Sequence, residues 1–318
     1  MAYYITVFIF LLAIESAYII TARKMLIVDR PHHQSSHRGA VVRGGGIVFY
    51  FAFLIWSLNY GGLYDGKLIG LTILALVSFI DDIHDVSAKI RLICHFIAIF
   101  LLFYHSGLIR QAPYVIFLLA IVCVAILNIY NFMDGINGMT GGYSIVISLA
   151  LLYVNECQIN FIDNKLIVFI LLSLLVFGLF NFRKKALCFA GDVGALSIGF
   201  VLVYLVLKLV LRAQSMAWIV MLSVYLVDGG MTILHRVLLR ENLMKPHKKH
   251  AYQIMANELK IPHLAVSGIY MGLQAVCCVV YIMWPGYPTF FAIFVVLITM
   301  YLVFMKKYYY LHVKKDDK

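Results

Sequence analysis

Long apolar stretches recur along the whole chain and constrain its fold more than any other feature. A helix needs about 20 predominantly apolar residues to cross the hydrocarbon core of a bilayer. We count eleven such stretches, the third of them short, at residues 3–22, 45–63, 68–80, 91–106, 113–130, 143–160, 165–181, 193–211, 216–234, 264–284 and 288–305. They predict an all-α fold, a polytopic bundle of about eleven transmembrane helices that forms a single integral membrane domain over residues 1–318.

The composition excludes several other classes of protein. Of the 318 residues, 63% are hydrophobic and 13% are charged, whereas roughly half of an average soluble domain is apolar and about a quarter is charged. One soluble core of this length would leave too much apolar surface in water. Secreted, nucleic-acid-binding and disordered proteins are therefore excluded. The first stretch is too long for a removable signal peptide and lacks a small-residue cleavage site, so we expect a membrane span.

Basic residues are divided unevenly between the two sets of loops. Lys and Arg total 26 against 15 Asp and Glu, which leaves a net charge of +11. Twenty-one of the basic residues fall in one set of loops and the C-terminal tail, and five lie in or near the other set: Lys67, Arg110, Lys165, Lys208 and Arg212. The positive-inside rule predicts that the richer side is cytoplasmic, with the N-terminus outside and the C-terminus inside.

Acidic residues are scarce, and five of them lie at the cytoplasmic ends of apolar stretches: Asp81, Asp82, Asp134, Asp192 and Asp228. A carboxylate at membrane depth is costly, and it usually marks a functional, hydrated cavity. We therefore looked for chemistry around each of these five residues.

Asp81 and Asp82 form the first polar cluster. If the preceding helix continued through this segment, Asp81, Asp85 and Lys89 would share one of its faces, and Asp82 would point into the same cleft. Two adjacent carboxylates at a dry boundary repel each other, so a cation or a proton must compensate them. A solvated helix cap paired with a lysine is the alternative, although a cap needs only one Asp.

The second cluster comprises Asn128, Asn131 and Asp134, which recur every third residue at a predicted helix end. The glycines that follow stop the helix and let backbone approach a ligand closely. Neutral amide oxygens beside a carboxylate suit a hard cation such as Mg²⁺. A glycine-rich cap and turn would explain the glycines but not the two asparagines.

Asp192 marks the third cluster, between Gly191 and Gly194 at the start of the eighth stretch. An Asp at this position could equally be a helix N-cap, and the residues alone leave both interpretations open.

Two further segments have the composition of anion-binding loops. Residues 35–38 and Arg43, followed by three glycines, offer basic side chains and backbone N–H groups to a phosphate, with a flexible loop as the alternative. In the loop after Asp228, His247 and His250 stand in a very basic context without cysteine, which favours phosphate or nucleotide contact over a zinc site.

Taken together, the motifs resemble those of the polyprenyl-phosphate N-acetylhexosamine-1-phosphate transferases, glycosyltransferase family 4. They occur in the family's order over nearly the whole chain: Arg43-Gly-Gly-Gly, Asp81-Asp82 with Lys89, Asn128/Asn131/Asp134-Gly, Gly191-Asp192-Val-Gly194 and the late histidine loop. The resemblance implies a membrane enzyme that moves a sugar-1-phosphate from a cytoplasmic UDP-N-acetylamino sugar onto undecaprenyl phosphate and releases UMP. It also implies Mg²⁺ as the cofactor, with Mn²⁺ as a substitute.

The resemblance further implies roles for individual residues. Asp192 and Asn131 would hold the metal, and Asp81 and Asp82 would form the catalytic pair. The remaining matched positions would bind substrate, with Lys89 on the diphosphate: Lys89, Asn128, Asp134, Arg43, Gly45, His247 and His250.

One departure from the family narrows the expected substrate. The muramoyl-pentapeptide branch carries adjacent histidines in the last loop, whereas two lysines separate His247 from His250 here. The pattern is more similar to the initiators of O-antigen and capsule synthesis at the bacterial inner membrane. A pentapeptide-transferase-type enzyme is the alternative within the family, and a transporter or flippase is the alternative from another class. The sugar (GlcNAc, GalNAc, FucNAc or QuiNAc), the glycan pathway, single or double displacement and homodimer formation stay open.

Overall fold

The computed structural model describes residues 2–29, 40–62, 65–242, 247–308 and 310. Twelve α-helices follow one another within these ranges: α1 (Ala2–Lys24), α2 (Ile47–Trp56), α3 (Gly66–Ile83), α4 (Ala88–His105), α5 (Pro113–Met133), α6 (Met139–Cys157), α7 (Asn164–Asn181), α8 (Gly191–Ala213), α9 (Ser223–Leu238), α10 (Ala251–Gln253), α11 (His263–Met283) and α12 (Tyr287–Tyr308). The short strands β1 (Val28–Asp29) and β2 (Val41–Val42) pair antiparallel.

The helices confirm the all-α membrane fold. Each of the eleven apolar stretches coincides with helix, the second as α2 followed by a π-helical turn at Ser57–Gly61. Within the described ranges, eight helical segments are long and apolar enough to cross a membrane: α1, α4, α5, α7, α8, residues 216–238, α11 and α12. The chain is thus a multi-pass membrane protein, while the number of its spans and its orientation stay predictions.

Helix α8 forms the centre of the bundle. In its most apolar window 94% of the residues are buried, against 28% for α1 and 22% for α12. It packs against α2, α3, α5 and α6. A helix that is apolar on all sides is expected in the interior, and here that position brings the N-terminus of α8 to the middle of one end of the bundle.

Glycines allow α2 and α8 to approach closely at this end. A Cβ atom added to Gly46 would lie 2.4 Å from the Cα atom of Gly194, and one added to Gly194 would lie 2.5 Å from the Cα atom of Gly46. Small residues at helix crossings in membranes let the two backbones touch. The crossing therefore holds the start of α8 beside the segment that leads into α2.

The ninth apolar stretch is a broken helix, and backbone polar groups at the break form hydrogen bonds inside the bundle. A 3₁₀ segment, Met216–Leu222, precedes α9. Gln274 of α11 accepts hydrogen bonds from the Tyr143 hydroxyl (2.6 Å) and the Val224 N–H (3.1 Å), and donates to the Val220 carbonyl (3.1 Å). Non-helical backbone at membrane depth requires such internal partners.

We predict that Gly194→Ala lowers the thermal unfolding temperature of the purified protein. The added methyl group would overlap the Gly46 backbone, and overpacking of this kind costs about 1–3 kcal/mol. Gly268→Ala in α11 is the matched control, because nothing lies within 4 Å of its Cβ position. An unfolding temperature for Gly194→Ala equal to that of Gly268→Ala would contradict the tight crossing.

Candidate active site

Asp82 ties the end of α3 to the beginning of α8. Its side chain is fully buried, and its Oδ1 and Oδ2 atoms accept hydrogen bonds from the N–H groups of Asp192 (2.9 Å) and Val193 (3.1 Å). These N–H groups are among the four that a helix N-terminus leaves without intrahelical partners. The negative carboxylate also complements the positive end of the α8 dipole. Asp82 is therefore held in place as a charged acceptor.

Arg43 meets two of the carboxylates. Its Nε atom lies 2.7 Å from Asp82 Oδ1 and its Nη2 atom 3.5 Å from Asp192 Oδ1. The Tyr18 hydroxyl donates a 2.6 Å hydrogen bond to the Arg43 carbonyl. Gly44 follows with φ +82°, and a Cβ atom there would lie 2.4 Å from the Tyr18 hydroxyl. Tyr18 and Gly44 together fix the turn from which Arg43 points to the carboxylates.

The backbone N–H groups of two glycines after Arg43 form hydrogen bonds within the protein and do not point to an anion-binding loop. The N–H groups of Gly45 and Gly46 donate to the carbonyls of Phe189 (2.8 Å) and Ala190 (3.0 Å). These N–H groups, which the sequence pattern predicts as donors to an anion, instead join the segment before α2 to the segment before α8. Residues 35–38 of the same expected loop lie outside the described residues.

Asp81 closes the turn after α3 and pairs with Arg91. Its Oδ1 atom accepts the Val86 N–H at 2.7 Å, and its Oδ2 atom lies 2.6 Å from Arg91 Nη1. The same Arg91 nitrogen lies 3.4 Å from Asp192 Oδ2. Arg91 therefore bridges Asp81 of α3 and Asp192 of α8 from its position in α4.

The expectation of one continuous helix through Asp81, Asp85 and Lys89 is wrong. Helix α3 ends at Ile83, the next residue is extended, and α4 begins only at Ala88. Because the chain turns here, Asp85 and Lys89 are both exposed, and the described contacts of the carboxylates involve Arg91 instead. Lys89 as a diphosphate contact stays a prediction.

Asp81, Asp82 and Asp192, here called the carboxylate cluster, open to the surrounding medium through their arginines, whose side chains are each 36% exposed. Asp134, just after α5, belongs to the same electrostatic system. Burial raises the pKa of Asp134 to about 7, and the negative charge of Asp192 adds to this rise, whereas Arg43 opposes it. Four carboxyl groups thus share two guanidinium groups, and a further positive charge would be favoured there.

The two asparagines before Asp134 have different surroundings. Asn128 donates to the Val124 carbonyl of its own helix (2.8 Å) and lies 3.4 Å from His95 Nδ1. Asn131 is half-buried, and its carbonyl accepts the Asp134 N–H at 3.2 Å. The described contacts of Asn128 and Asn131 lie outside the carboxylate cluster, so the predicted ligand roles of both residues stay predictions.

Asp228 binds the start of a second helix, α10, through hydrogen bonds. This start belongs to the segment of residues 247–252, here called the histidine loop. It accepts hydrogen bonds from the Ala251 N–H (3.0 Å), the Tyr252 N–H (3.4 Å) and the Tyr270 hydroxyl (2.5 Å). His250 is 1% exposed, and its Nδ1 atom lies 3.5 Å from Asp228 Oδ1. His250 is therefore built into the base of the loop.

His247 packs on His250, with 4.9 Å between the ring centroids. Burial, together with the nearby positive charge of Arg236, lowers the pKa of His247 to about 3. His247 is consequently neutral at physiological pH, so it can meet a ligand as a neutral hydrogen-bonding group but not as a cation.

The histidine loop docks beside Asp134. The Tyr252 hydroxyl donates to the Phe132 carbonyl at 2.8 Å, and a Cβ atom on Gly135 would lie 2.2 Å from that hydroxyl. The end of α5 thus has the carboxylate cluster on one side and the histidine loop on the other. Sequence motifs that lie far apart along the chain meet in one region at one end of the bundle.

Residues 64–210 match the model of the family described as glycosyl transferase family 4. The matched segment runs through Asp81, Asp82, Asp134 and Asp192, whose side chains form the region described above. The matched segment belongs to glycosyl transferase family 4. The resemblance drawn from the motifs is thereby confirmed.

Several curated proteins resemble the chain at low identity. A protein of Bacillus subtilis (strain 168) named "Probable undecaprenyl-phosphate N-acetylglucosaminyl 1-phosphate transferase" is 23% identical over 310 residues, covering 89% of this chain and 85% of its own. Proteins of Yersinia pestis and Escherichia coli (strain K12) named undecaprenyl-phosphate alpha-N-acetylglucosaminyl 1-phosphate transferase are 29% and 27% identical, over 64% and 59% of this chain. These two alignments cover 62% and 56% of the relatives.

Sequence reasoning missed two residues of this family-4 site. From its place in the sequence, Arg91 counts only among the basic residues that predict orientation, although it reaches both Asp81 and Asp192. Tyr18 lies in the first apolar stretch and was not considered. Ser87 is a hydrogen-bonding N-cap for α4. As a preferred N-cap residue, it is the sequence signal from which the helix start, and so the position of Arg91 in the first turn, could have been predicted.

We predict that Asp82→Ala destabilises the protein by more than about 2 kcal/mol, because the change removes the carboxylate that accepts hydrogen bonds from the N-terminus of α8 and leaves Arg43 without its nearest carboxylate. Thermal unfolding in detergent measures the effect. Asp85→Ala is the matched control, since Asp85 is exposed one turn away. Equal unfolding temperatures for the two variants would mean that Asp82 does not hold α3 to α8.

Proposed function

We propose that the protein transfers an N-acetylhexosamine-1-phosphate from a UDP-N-acetylamino sugar to undecaprenyl phosphate and releases UMP. The transfer would take place at the cytoplasmic face of the bacterial inner membrane and would start a glycan on its lipid carrier. One observation carries the proposal, namely the convergence of three carboxylates and two partly exposed arginines at one end of a membrane bundle. The names of the family relatives, which specify undecaprenyl phosphate and N-acetylglucosaminyl 1-phosphate, support it.

Asp192 is the carboxylate best suited to hold Mg²⁺, or Mn²⁺ in its place. Its oxygens contact Arg43 and Arg91 at 3.5 and 3.4 Å, longer than the usual distance of about 2.7–2.9 Å for a charge-assisted hydrogen bond. No group of three or more His, Cys, Asp or Glu side chains in the described ranges could hold a metal by itself. Mg²⁺ needs only one or two protein carboxylates, because substrate phosphates and water complete its shell.

The charge balance of the site also fits a divalent cation. Asp81, Asp82, Asp134 and Asp192 exceed the two guanidinium groups by two negative charges if all are ionised. In the motif match Asn131 supplies a second, neutral oxygen ligand. Bound there, the metal would offset the charge that develops on the leaving phosphate.

The arginines would receive the anionic substrates. Lipid phosphate and nucleotide diphosphate repel each other, so their encounter requires fixed positive charge. Arg43 and Arg91 are each held by carboxylates on one side and are 36% exposed on the other. A guanidinium that is oriented in this way can bind phosphate oxygens with little further loss of side-chain entropy. Lys89, exposed at the start of α4, adds a flexible cation beside them.

The reaction itself would be a single displacement. An oxygen of the lipid phosphate attacks the sugar-proximal phosphorus of the UDP-sugar, a new P–O bond forms, and the bond to the bridging oxygen breaks so that UMP leaves. Asp81 or Asp82 would orient the attacking phosphate and accept any proton that it carries. Transfer through a phospho-sugar on Asp82 is the alternative route, and trapping such an adduct would contradict the single displacement.

The proposal predicts that purified full-length protein releases radiolabelled UMP from a UDP-amino sugar only when undecaprenyl phosphate is present. A panel of UDP-GlcNAc, UDP-GalNAc and 6-deoxy analogues identifies the sugar. Asp192→Asn should lower the rate about a hundredfold or more, because an oriented charge at the reacting phosphate is lost. Asp85→Asn, an exposed carboxylate near the same turn, should retain the activity and serves as the control.

Two outcomes would contradict this assignment. Full activity in excess EDTA would exclude the metal. Movement of a lipid or solute across the membrane without UMP release would favour a transporter or flippase instead.

A further inference from the structure

A polar cavity lies at the end of the bundle opposite to the carboxylate cluster. Near its start, α8 carries Asp192 of the cluster, and α4 carries Arg91, which contacts the cluster. Both helices end at this cavity. It has a volume of about 360 Å³. The lining residues come from the segment after α4, the loop before α7 and the last turns of α8: Ser106, Gly107, Leu108, Gln111, Phe161, Lys208, Leu211 and Arg212.

Two cations line this cavity without a carboxylate beside them. In the described ranges, no Asp or Glu oxygen lies within 4.0 Å of the side-chain nitrogens of Lys208 or Arg212. The acidic side chains at this end have other partners. Asp65 pairs with Lys67 at 2.7 Å, Asp163 accepts the Lys165 N–H at 3.0 Å, and Glu156 accepts from Asn164 at 3.2 Å. The cavity therefore carries uncompensated positive charge.

A helix-dipole role accounts for only one of these cations. Arg212 lies in the last turn of α8, where a cation interacts favourably with the free carbonyl groups. That interaction falls off within one turn, whereas Lys208 lies more than one turn before the end of the helix and is half-buried. The long side chain of Lys208 can extend its ammonium group towards the end of the helix, where it meets the cavity.

A neutral hydrogen-bonding group completes the cavity. The hydroxyl oxygen of Ser106 is buried and has no hydrogen-bond partner among the described residues. Almost none of its surface is accessible, so it packs against protein atoms and does not face the open space of the cavity. Gln111 adds an amide to the lining. An ammonium, a guanidinium and an amide around one space are a set of donors that suits a tetrahedral oxyanion.

We propose that this cavity binds a phosphate group at the membrane surface opposite to the carboxylate cluster. The phosphate is carried either by an anionic lipid headgroup or by a free phosphate ion, since both present the same oxygens to Lys208 and Arg212. The volume is sufficient for a phosphate with a short polar substituent. The site is separate from the proposed transfer reaction and does not depend on it.

The test is thermal unfolding of the full-length protein in a neutral detergent. Dioleoylphosphatidylglycerol, dioleoylphosphatidylcholine and inorganic phosphate are titrated separately into the wild type and into the variant Lys208→Gln/Arg212→Gln. We expect a saturable rise in the unfolding temperature with phosphatidylglycerol or with inorganic phosphate, and at least about a tenfold weaker response in the variant, because charged hydrogen bonds are lost. Gln111→Ala, which removes no charge, should weaken the same response by a smaller factor.

Lys165→Gln is the matched control, because Lys165 lies at the same end of the bundle but over the Tyr60 ring, at 4.2 Å, and outside the cavity lining. It should respond like the wild type. A charge-dependent response to phosphatidylglycerol alone identifies a lipid headgroup, and a response to inorganic phosphate identifies a free ion. The proposal is overturned if the double variant unfolds at a lower temperature yet responds to both anions as the wild type does, or if phosphatidylcholine acts as strongly as phosphatidylglycerol.

Discussion

Negative charge buried at one end of a membrane bundle is the constraint on which the rest of this structure depends. A carboxylate such as Asp82, with a fully buried side chain, is stable only if hydrogen bonds and positive charge replace its water. The start of α8 supplies two N–H groups and Arg43 supplies a guanidinium. The Gly46–Gly194 crossing and the Tyr18 hydrogen bond then keep those donors where Asp82 requires them.

A buried aspartate that accepts two N–H groups from the start of a helix occurs twice, on either side of one region. Asp82 holds the start of α8, and Asp228 holds the start of α10 in the histidine loop. Asp134 and Gly135 lie between these two helix starts. Asp134 interacts electrostatically with Asp192, and Gly135 packs against Tyr252. Buried, well-paired carboxylates thus make a rigid frame, while Asp192 and the outer faces of the arginines remain available to ligands. A frame of this kind suits phosphoryl transfer, which relies on positioning and charge rather than on covalent chemistry by the protein.

Local patterns in the sequence predicted the helices and marked the carboxylates, because apolar length and rare acids at membrane boundaries are local signals. Local patterns did not predict which basic residues pair with those carboxylates. Arg91 rather than Lys89 meets Asp81 because α3 stops at Ile83, and that stop depends on a turn closed by the Asp81 side chain. Similarly, Gly45 and Gly46 suggested an anion cradle, but their N–H groups bond to residues more than 140 positions away. Tertiary contacts, not spacing, decided both outcomes.

Direct measurement of divalent-cation binding tests the central claim, that the excess negative charge around Asp192 forms a metal site. Full-length protein in lipid nanodiscs can be titrated with Mn²⁺ and followed by electron paramagnetic resonance, without substrate. The account predicts saturable Mn²⁺ binding that Mg²⁺ displaces and that Asp192→Asn weakens strongly, whereas Asp85→Asn leaves it unchanged. Binding of equal strength in Asp192→Asn, or no displaceable binding in the wild type, would contradict it.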